Sequence, residues 1–206
     1  MKAELAAQSI QEIVPGVFRW EIFSPNHKVE LTSHAIVTGG KIFCFDPIPL
    51  ADEPFRQLSH HGQPTAIVLT NENHERDSLA WRKRWQVPIW AAADATLFIP
   101  EVQRFSPSQL EWKGLHLHSM SGGAGGEIAF RLAGQSLVVF GDSVVNLPSR
   151  QLELLPAKYC RNPAELRRNL ALFLAEPFDC MVMAHGTPIL REASRRLAEL
   201  LASPKL

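Results

Sequence analysis

Apolar residues along this chain fall in short runs, and turn residues punctuate them. Gly16–Phe23, GVFRWEIF, follows a Pro-Gly turn and alternates aromatic and β-branched positions with polar ones, which predicts a strand. LTSHAIVT and KIFCFDPI predict two more, joined as a hairpin by Gly39-Gly40. ADEPFRQLSHHG reads as a helix that Asp52 caps and Gly62 stops. TAIVLT is a strand, a helix follows from about Glu75 to Gln86, and VPIWAAA is another short strand. Residues 94–113 carry Pro100, Ser106, Pro107 and Ser108 and read as loop with a turn of helix.

The second half repeats the style without repeating the sequence. GLHLHSM alternates as a strand does, and EIAFRLA and SLVVFGD are strands joined at Gly134-Gln135. NPAELRRNLALFLAEP is an amphipathic helix with Asn162 as cap and Pro163 in its first turn. DCMVMAHG is a buried strand, and ILREASRRLAELLA a closing amphipathic helix. Strands thus meet helices in two matched halves. Two sheets face to face, with helices outside, would bury both kinds of apolar face.

Composition narrows the class. The chain has 206 residues, 46% hydrophobic and 20% charged, which suits one globular domain over residues 1–206. Lys+Arg and Asp+Glu balance at 21 each, so no bulk charge points to nucleic acid or to an anionic membrane. Cys44, Cys160 and Cys180 are an odd count without tight spacing, and a reducing compartment is the expectation. The start lacks an apolar core of signal-peptide length, and a cytoplasmic protein is expected. No GxSxG elbow, P-loop or GxGxxG occurs; SGGAGGE lacks the lysine and sits between strands.

Polar clusters stand at the strand ends: TNENHER (70–76), GDS (141–143) and AHG (184–186). The glycine-rich SGGAGGE (121–127) lies between two strands. Four such turns at one rim would converge on one cleft, where α/β proteins place chemistry.

This order resembles the metallo-β-lactamase superfamily, whose members carry T-H-x-H-x-D-H, G-H-T-P-G, G-D and G/A-H-G in this sequence order. Thr70, Gly141-Asp142 and Ala184-His185-Gly186 match, and IFCFDP looks like the family's early strand ending in Asp-Pro. The resemblance covers nearly the whole chain and implies an α/β fold, an αββα sandwich of the metallo-β-lactamase type. It also exposes what has changed. Asn71 and Asn73 stand where the family has its first two histidines, Glu75 where it has aspartate, Arg76 where it has the next histidine, and Gly123 at the histidine of G-H-T-P-G. Neutral amides are poor zinc ligands, so the family's first metal position should not fill. Its second keeps a set of Glu75, Asp142 and His185, which would hold one zinc, iron or manganese.

Two functions follow. In the first, one divalent metal at Glu75, Asp142 and His185 supports hydrolysis of a small ester, thioester, lactone or phosphoester, with Asp142 orienting water as the catalytic carboxylate. In the second, no metal binds. The Arg76 guanidinium then lies against Glu75 and Asp142, and Asn71, Asn73, His74, Arg76 and Gly123 form a pocket for a small anionic ligand in a pseudoenzyme or regulatory module. His74 occupies a spacer position in the motif. It reads either as a helix-start histidine bonded to a neighbour or, in a shifted register, as a replacement for a lost ligand. His60 and His61 read as surface residues, His116 and His118 as a solvent-face pair or a metal-binding His-x-His, His34 as a core or surface residue or a pocket wall, and Trp81 and Trp85 as packing one helical turn apart.

Overall fold

The computed structural model describes residues 5–106, 111–132, 134–147 and 151–203. A first sheet takes seven strands in chain order: β1 (Gln11–Val14), β2 (Val17–Ser24), β3 (Val29–Thr38), β4 (Lys41–Phe45), β5 (Gln63–Val68), β6 (Ile89–Ala92) and β7 (Val102–Phe105). The first four pair antiparallel, and β4 to β7 pair parallel. The parallel links need crossovers, which α1 (Asp52–Ser59) and α2 (Ser78–Trp85) supply for β4–β5 and β5–β6. The β3–β4 hairpin turns at Gly39 and Gly40, both at positive φ (54° and 71°), a conformation that favours glycine.

The second sheet is built from β8 (Glu111–Trp112), β9 (Leu115–Ser119), β10 (Ile128–Leu132), β11 (Leu137–Phe140) and, after a long excursion, β14 (Cys180–Met183), which lies parallel to β11. The excursion holds a small ribbon of β12 (Val144–Val145) and β13 (Glu153–Leu154), then α3 (Pro163–Phe173). The last helix is α4 (Ala193–Ala202). Asn162 caps α3 as expected, its side chain accepting the Glu165 N–H at 3.1 Å.

Alternation along the strands sorts the apolar residues into three layers. Ile36, Phe43, Phe45 and Val68 of the first sheet pack on Leu117, Phe130, Val139 and Val182 of the second. The outer face of the first sheet, with Ile42, Cys44 and Ile67, is covered by Phe55 and Leu58 of α1 and Trp81 of α2. That of the second, with Val138, Phe140 and Met181, is covered by Leu166 and Leu170 of α3 and Leu197 of α4. The result is the expected αββα sandwich.

Asp52, read as the cap of the first helix, lies inside it; the cap position is Ala51, with no side-chain bond. Further expectations change. Residues 102–105 add a seventh strand where loop was read, because Val102 and Phe105 dock beside β6 on an otherwise open edge. Pro107 and Ser108 lie outside the described residues. The second helix begins at Ser78 rather than Glu75, because residues 71–77 are held in turns by side-chain bonds. Trp81 is buried, stacks on Trp20 at 5.2 Å and donates its indole N–H to Ile48 O at 3.0 Å, so its packing role holds. Among the described residues no helix is long and apolar enough to cross a membrane.

Candidate metal centre

The ends of β4, β5, β11 and β14 lie together at one rim of the sandwich. Thr70, just past β5, fixes the first contact: its N–H and Oγ1 donate to the two carboxylate oxygens of Asp46 at 2.8 and 2.6 Å. Asp46 and Arg76 both adopt positive φ (48° and 39°), a costly geometry for residues with side chains that the surrounding bonds must hold. Past Thr70 the chain tightens. The Asn71 side-chain Oδ1 accepts the Asn73 N–H at 2.9 Å, an Asx turn, and the Asn71 carbonyl accepts the His74 N–H at 3.3 Å.

That turn decides which side chains face inward. His74 is buried between two carboxylates, with Nδ1 3.0 Å from Asp46 Oδ2 and Nε2 3.2 Å from Asp142 Oδ1. His185 reaches the same oxygen, Nε2 to Asp142 Oδ1 at 3.3 Å, while its Nδ1 lies 3.0 Å from the Glu30 carbonyl. A carbonyl can only accept, so His185 carries a proton on Nδ1 and its Nε2 is left for the site. Asp142 Oδ2 accepts from the Asn71 amide at 3.1 Å, whereas Asp142 Oδ1 is buried and, among the described residues, makes no well-aligned hydrogen bond, only the two imidazole approaches. Ligand atoms of His74, Asp142 and His185 all lie within 4.8 Å of one another.

Glu75, expected as a ligand, is not with them. Its Oε1 accepts the main-chain N–H groups of Phe98 and Ile99, across the rim on the 93–101 loop. The Asx turn brings residue 74 inward and sends residue 75 outward, so His74 stands beside Asp142 and His185 instead. His74 is bonded to its neighbours Thr70 and Asp46, as one of its readings has it, and stands beside Asp142 and His185, as the other requires. Arg76 is not wedged between Glu75 and Asp142 either. Its Nη1 donates to the carbonyls of Thr32 (2.7 Å) and Asp46 (3.0 Å), and its Nη2 to that of Ala184 (3.3 Å). Asn73 is exposed; Gly123 lies close to Glu127, at whose Cγ a Cβ on Gly123 would stand 3.1 Å away.

A carboxylate without an assigned role in the sequence completes the centre. Glu127 is buried, and its Oε1 accepts from Asp142 N, Ser143 N and Ser143 Oγ, each at 2.8 Å. Its Oε2 accepts from the Asn71 amide at 2.8 Å. The signal was present: Glu127 is a lone charge opening the apolar strand IAF, after a glycine run that leaves room. Asp46, at the end of FCFD, is the other missed partner. Gly141 is required by this packing, since a Cβ there would meet Thr70 Oγ1 at 2.4 Å and Glu127 Oε1 at 2.9 Å.

The charges answer one another. Burial alone would push the Asp142 carboxyl up, but the His74 charge and the nearness of both imidazoles hold it well below the usual carboxylate range. Burial opposes protonation of His74, yet Asp142 and then Asp46 outweigh it and Arg76, raising its pKa to about 9. Burial and the Asp142 charge push Glu127 up to about 7, against the pull of His74 and the Ser143 bonds.

The donor set fits one metal ion. Zinc bonds of about 2.0–2.1 Å in tetrahedral geometry put neighbouring donors roughly 3.3 Å apart, the spacing between Asp142 Oδ1 and each imidazole Nε2 here. Each far imidazole nitrogen already faces an oxygen, Asp46 for His74 and Glu30 for His185, the arrangement that orients metal-binding histidines. Asn71 is committed to Glu127 and Asp142, and position 123 has no side chain to offer.

The family model described as the metallo-beta-lactamase superfamily matches residues 9–204. No curated protein matches the sequence. Among solved structures, the DIM-1 metallo-beta-lactamase is 15% identical and superposes with a TM-score of 0.70, covering 97% of this chain and 98% of its own. A metallo-beta-lactamase from Hirschia baltica is 16% identical with a TM-score of 0.70, covering 96% and 99%. FIM-1 from Pseudomonas aeruginosa, in its mono-zinc form, is 16% identical with a TM-score of 0.71, covering 96% of each chain.

Proposed function

Because the chain belongs to the metallo-β-lactamase superfamily, we propose that it is a hydrolase-like enzyme working with one divalent ion, zinc, iron or manganese. The ion is held by His74, Asp142 and His185, and the substrate is a small ester, thioester, lactone or phosphoester. One observation carries the reading: Asp142 Oδ1, buried and without a well-aligned hydrogen bond, faces two imidazole nitrogens whose far sides are already bonded. A divalent ion held there supplies a positive centre that acidifies water and polarises a carbonyl or phosphoryl oxygen. The chain's own groups do the positioning. Asp46 fixes His74 with Nε2 inward, the Glu30 carbonyl does the same for His185, and Asn71 holds Asp142 Oδ2 so that Oδ1 stays in the site. FIM-1, of similar fold, is described in a mono-zinc form.

A second reading, a metal-free pseudoenzyme or small-anion binding module, draws on His74. With both nitrogens against carboxylates, its imidazolium itself neutralises the rim as a cation would. Elemental analysis of protein purified without added metal separates the two. About one metal per chain, lost in Asp142→Asn, together with hydrolysis of at least one member of an ester, thioester, lactone and phosphoester panel, is the expected result. Protein that takes up no zinc, iron or manganese, and whose melting temperature none of them shifts, belongs to the second reading.

A further inference from the structure

We propose that Glu127 is a positioning residue of the metal centre, acting through Asp142 and Asn71; the proposal rests on the assignment of the ion to His74, Asp142 and His185. The Glu127 hydrogen bonds reach none of the three proposed ligand atoms, His74 Nε2, Asp142 Oδ1 and His185 Nε2. It holds Asp142 from both ends instead: its Oε1 takes the Asp142 main-chain N–H at 2.8 Å, and its Oε2 takes the Asn71 amide that also bonds Asp142 Oδ2. What remains of Asp142 is Oδ1, aimed at His74 and His185.

The chemistry of the cradle demands a carboxylate. Four donors surround Glu127: two main-chain N–H groups, the Ser143 hydroxyl and the Asn71 amide. An ionised carboxylate accepts all four and has no donor to place. Glutamine would aim its NH2 either at three donors or at the Asn71 NH2. In the second case Asn71 could answer only by flipping, which surrenders its bonds to Asn73 N and Asp142 Oδ2. Room for the carboxylate is made by two glycines. A Cβ on Gly141 would stand 2.9 Å from Oε1, and one on Gly123 would stand 3.1 Å from Cγ. Gly123 sits where the resemblance places a metal-binding histidine, so Glu127 and Asn71 together occupy the ground of the lost ligands.

Cobalt(II), added to the purified full chain, is the probe. Glu127→Gln should bind cobalt ten- to a hundredfold more weakly and change its visible absorption band, as loss of an outer partner to a metal ligand does. Ser143→Ala keeps both amide donors on Oε1 and should stay within about threefold of wild type. A merely structural carboxylate would lower the melting temperature of Glu127→Gln without altering affinity or spectrum of the folded protein, and that result overturns the proposal. If Glu127→Gln does not fold, Glu127→Asp, one methylene shorter, takes its place, and wild-type cobalt affinity and spectrum in it are equally fatal. Should the wild type itself take up no cobalt, the metal assignment fails on its own. The part that needs no ion, the holding of Asp142 against His74 and His185, is then read from their imidazole ¹⁵N shifts, and shifts unchanged in the variant overturn it as well.

Discussion

Single histidines set opposing pH responses in the metal-free protein. His34 is fully buried on β3; burial, then the nearby Arg19, push its pKa down to about 3, Arg76 adds to this, and Asp46 pulls the other way. Unfolded, it takes up a proton below about 6.5; folded, it does not until about 3. The unfolded chain therefore binds more protons in that window. The contribution of His34 is complete above 6.5 and is lost as pH falls toward 3, at no more than about 1.4 kcal/mol per pH unit. His74 works in the other direction. Its folded pKa is raised to about 9, so its contribution is complete below 6.5 and is lost as pH rises toward 9. Glu127, raised to about 7, works against His34 from about pH 4.5 upward, so urea unfolding of chelator-treated protein should show a stability plateau from about pH 4.5 to 6.5 that falls on either side, and His34→Gln should flatten the acid limb. An acid limb of unchanged slope in that variant would remove His34 from the account. The sequence left His34 as a core or surface residue or a pocket wall, because a lone histidine on a strand carries no sign of the arginines that fold up beside it.

At the scale of elements, one guanidinium ties three strands together. Arg76 bonds the carbonyls of Thr32 on β3, Asp46 just past β4 and Ala184 just past β14. These carbonyls come from both sheets. Arg76→Ala should destabilise by about 3 kcal/mol or more, since buried acceptors lose a charged donor. Arg76→Lys should recover little of it, because an ammonium cannot reproduce a planar fork. Thermal melts of the two variants check this, and an alanine variant as stable as wild type would mean that solvent replaces the arginine without loss. Periodicity made the elements themselves legible. Strands β2 to β5, the Asn162-capped α3 and the hairpin glycines fell where the pattern of residues put them. The site was legible only as a neighbourhood. Asp142 and His185 were placed by their strands, but the inward side of TNENHER was not. One side-chain bond, Asn71 Oδ1 to Asn73 N, makes residue 74 rather than 75 face the centre, and no hydrophobic period records such a bond.

For the whole molecule, the sandwich brings strand ends far apart in the chain to one rim, and the count of metal ions follows from which ends still carry donors. Saturation with zinc followed by gel filtration should leave one equivalent per chain, not two. Removal of that equivalent by a chelator should lower the melting temperature, and excess zinc should raise it by an amount that grows with the logarithm of free metal. Retention of two equivalents in wild type, with one lost in Asn71→Ala, would show that the amides coordinate after all. The layered core stays the same in either event. The three apolar layers involve Phe45, Phe130 and Val139 beneath the rim but none of the proposed ligands, so loss of metal should leave the far-ultraviolet circular dichroism of the fold unchanged.

The bond between Asn71 and Glu127 also bears on ancestry. If this chain descends from one with a histidine at position 71, the way back is steep. Asn71→His alone takes away the amide that Glu127 Oε2 and Asp142 Oδ2 share, so the centre that exists is weakened before another can form. Reversion would need several coordinated changes, and the first of them is harmful: the pair behaves as a ratchet. A double-mutant cycle of Asn71→His and Glu127→Gln measures it. Residues locked in this way should couple by at least about 0.5 kcal/mol in stability, and simple additivity would mean that the lineage kept its road home.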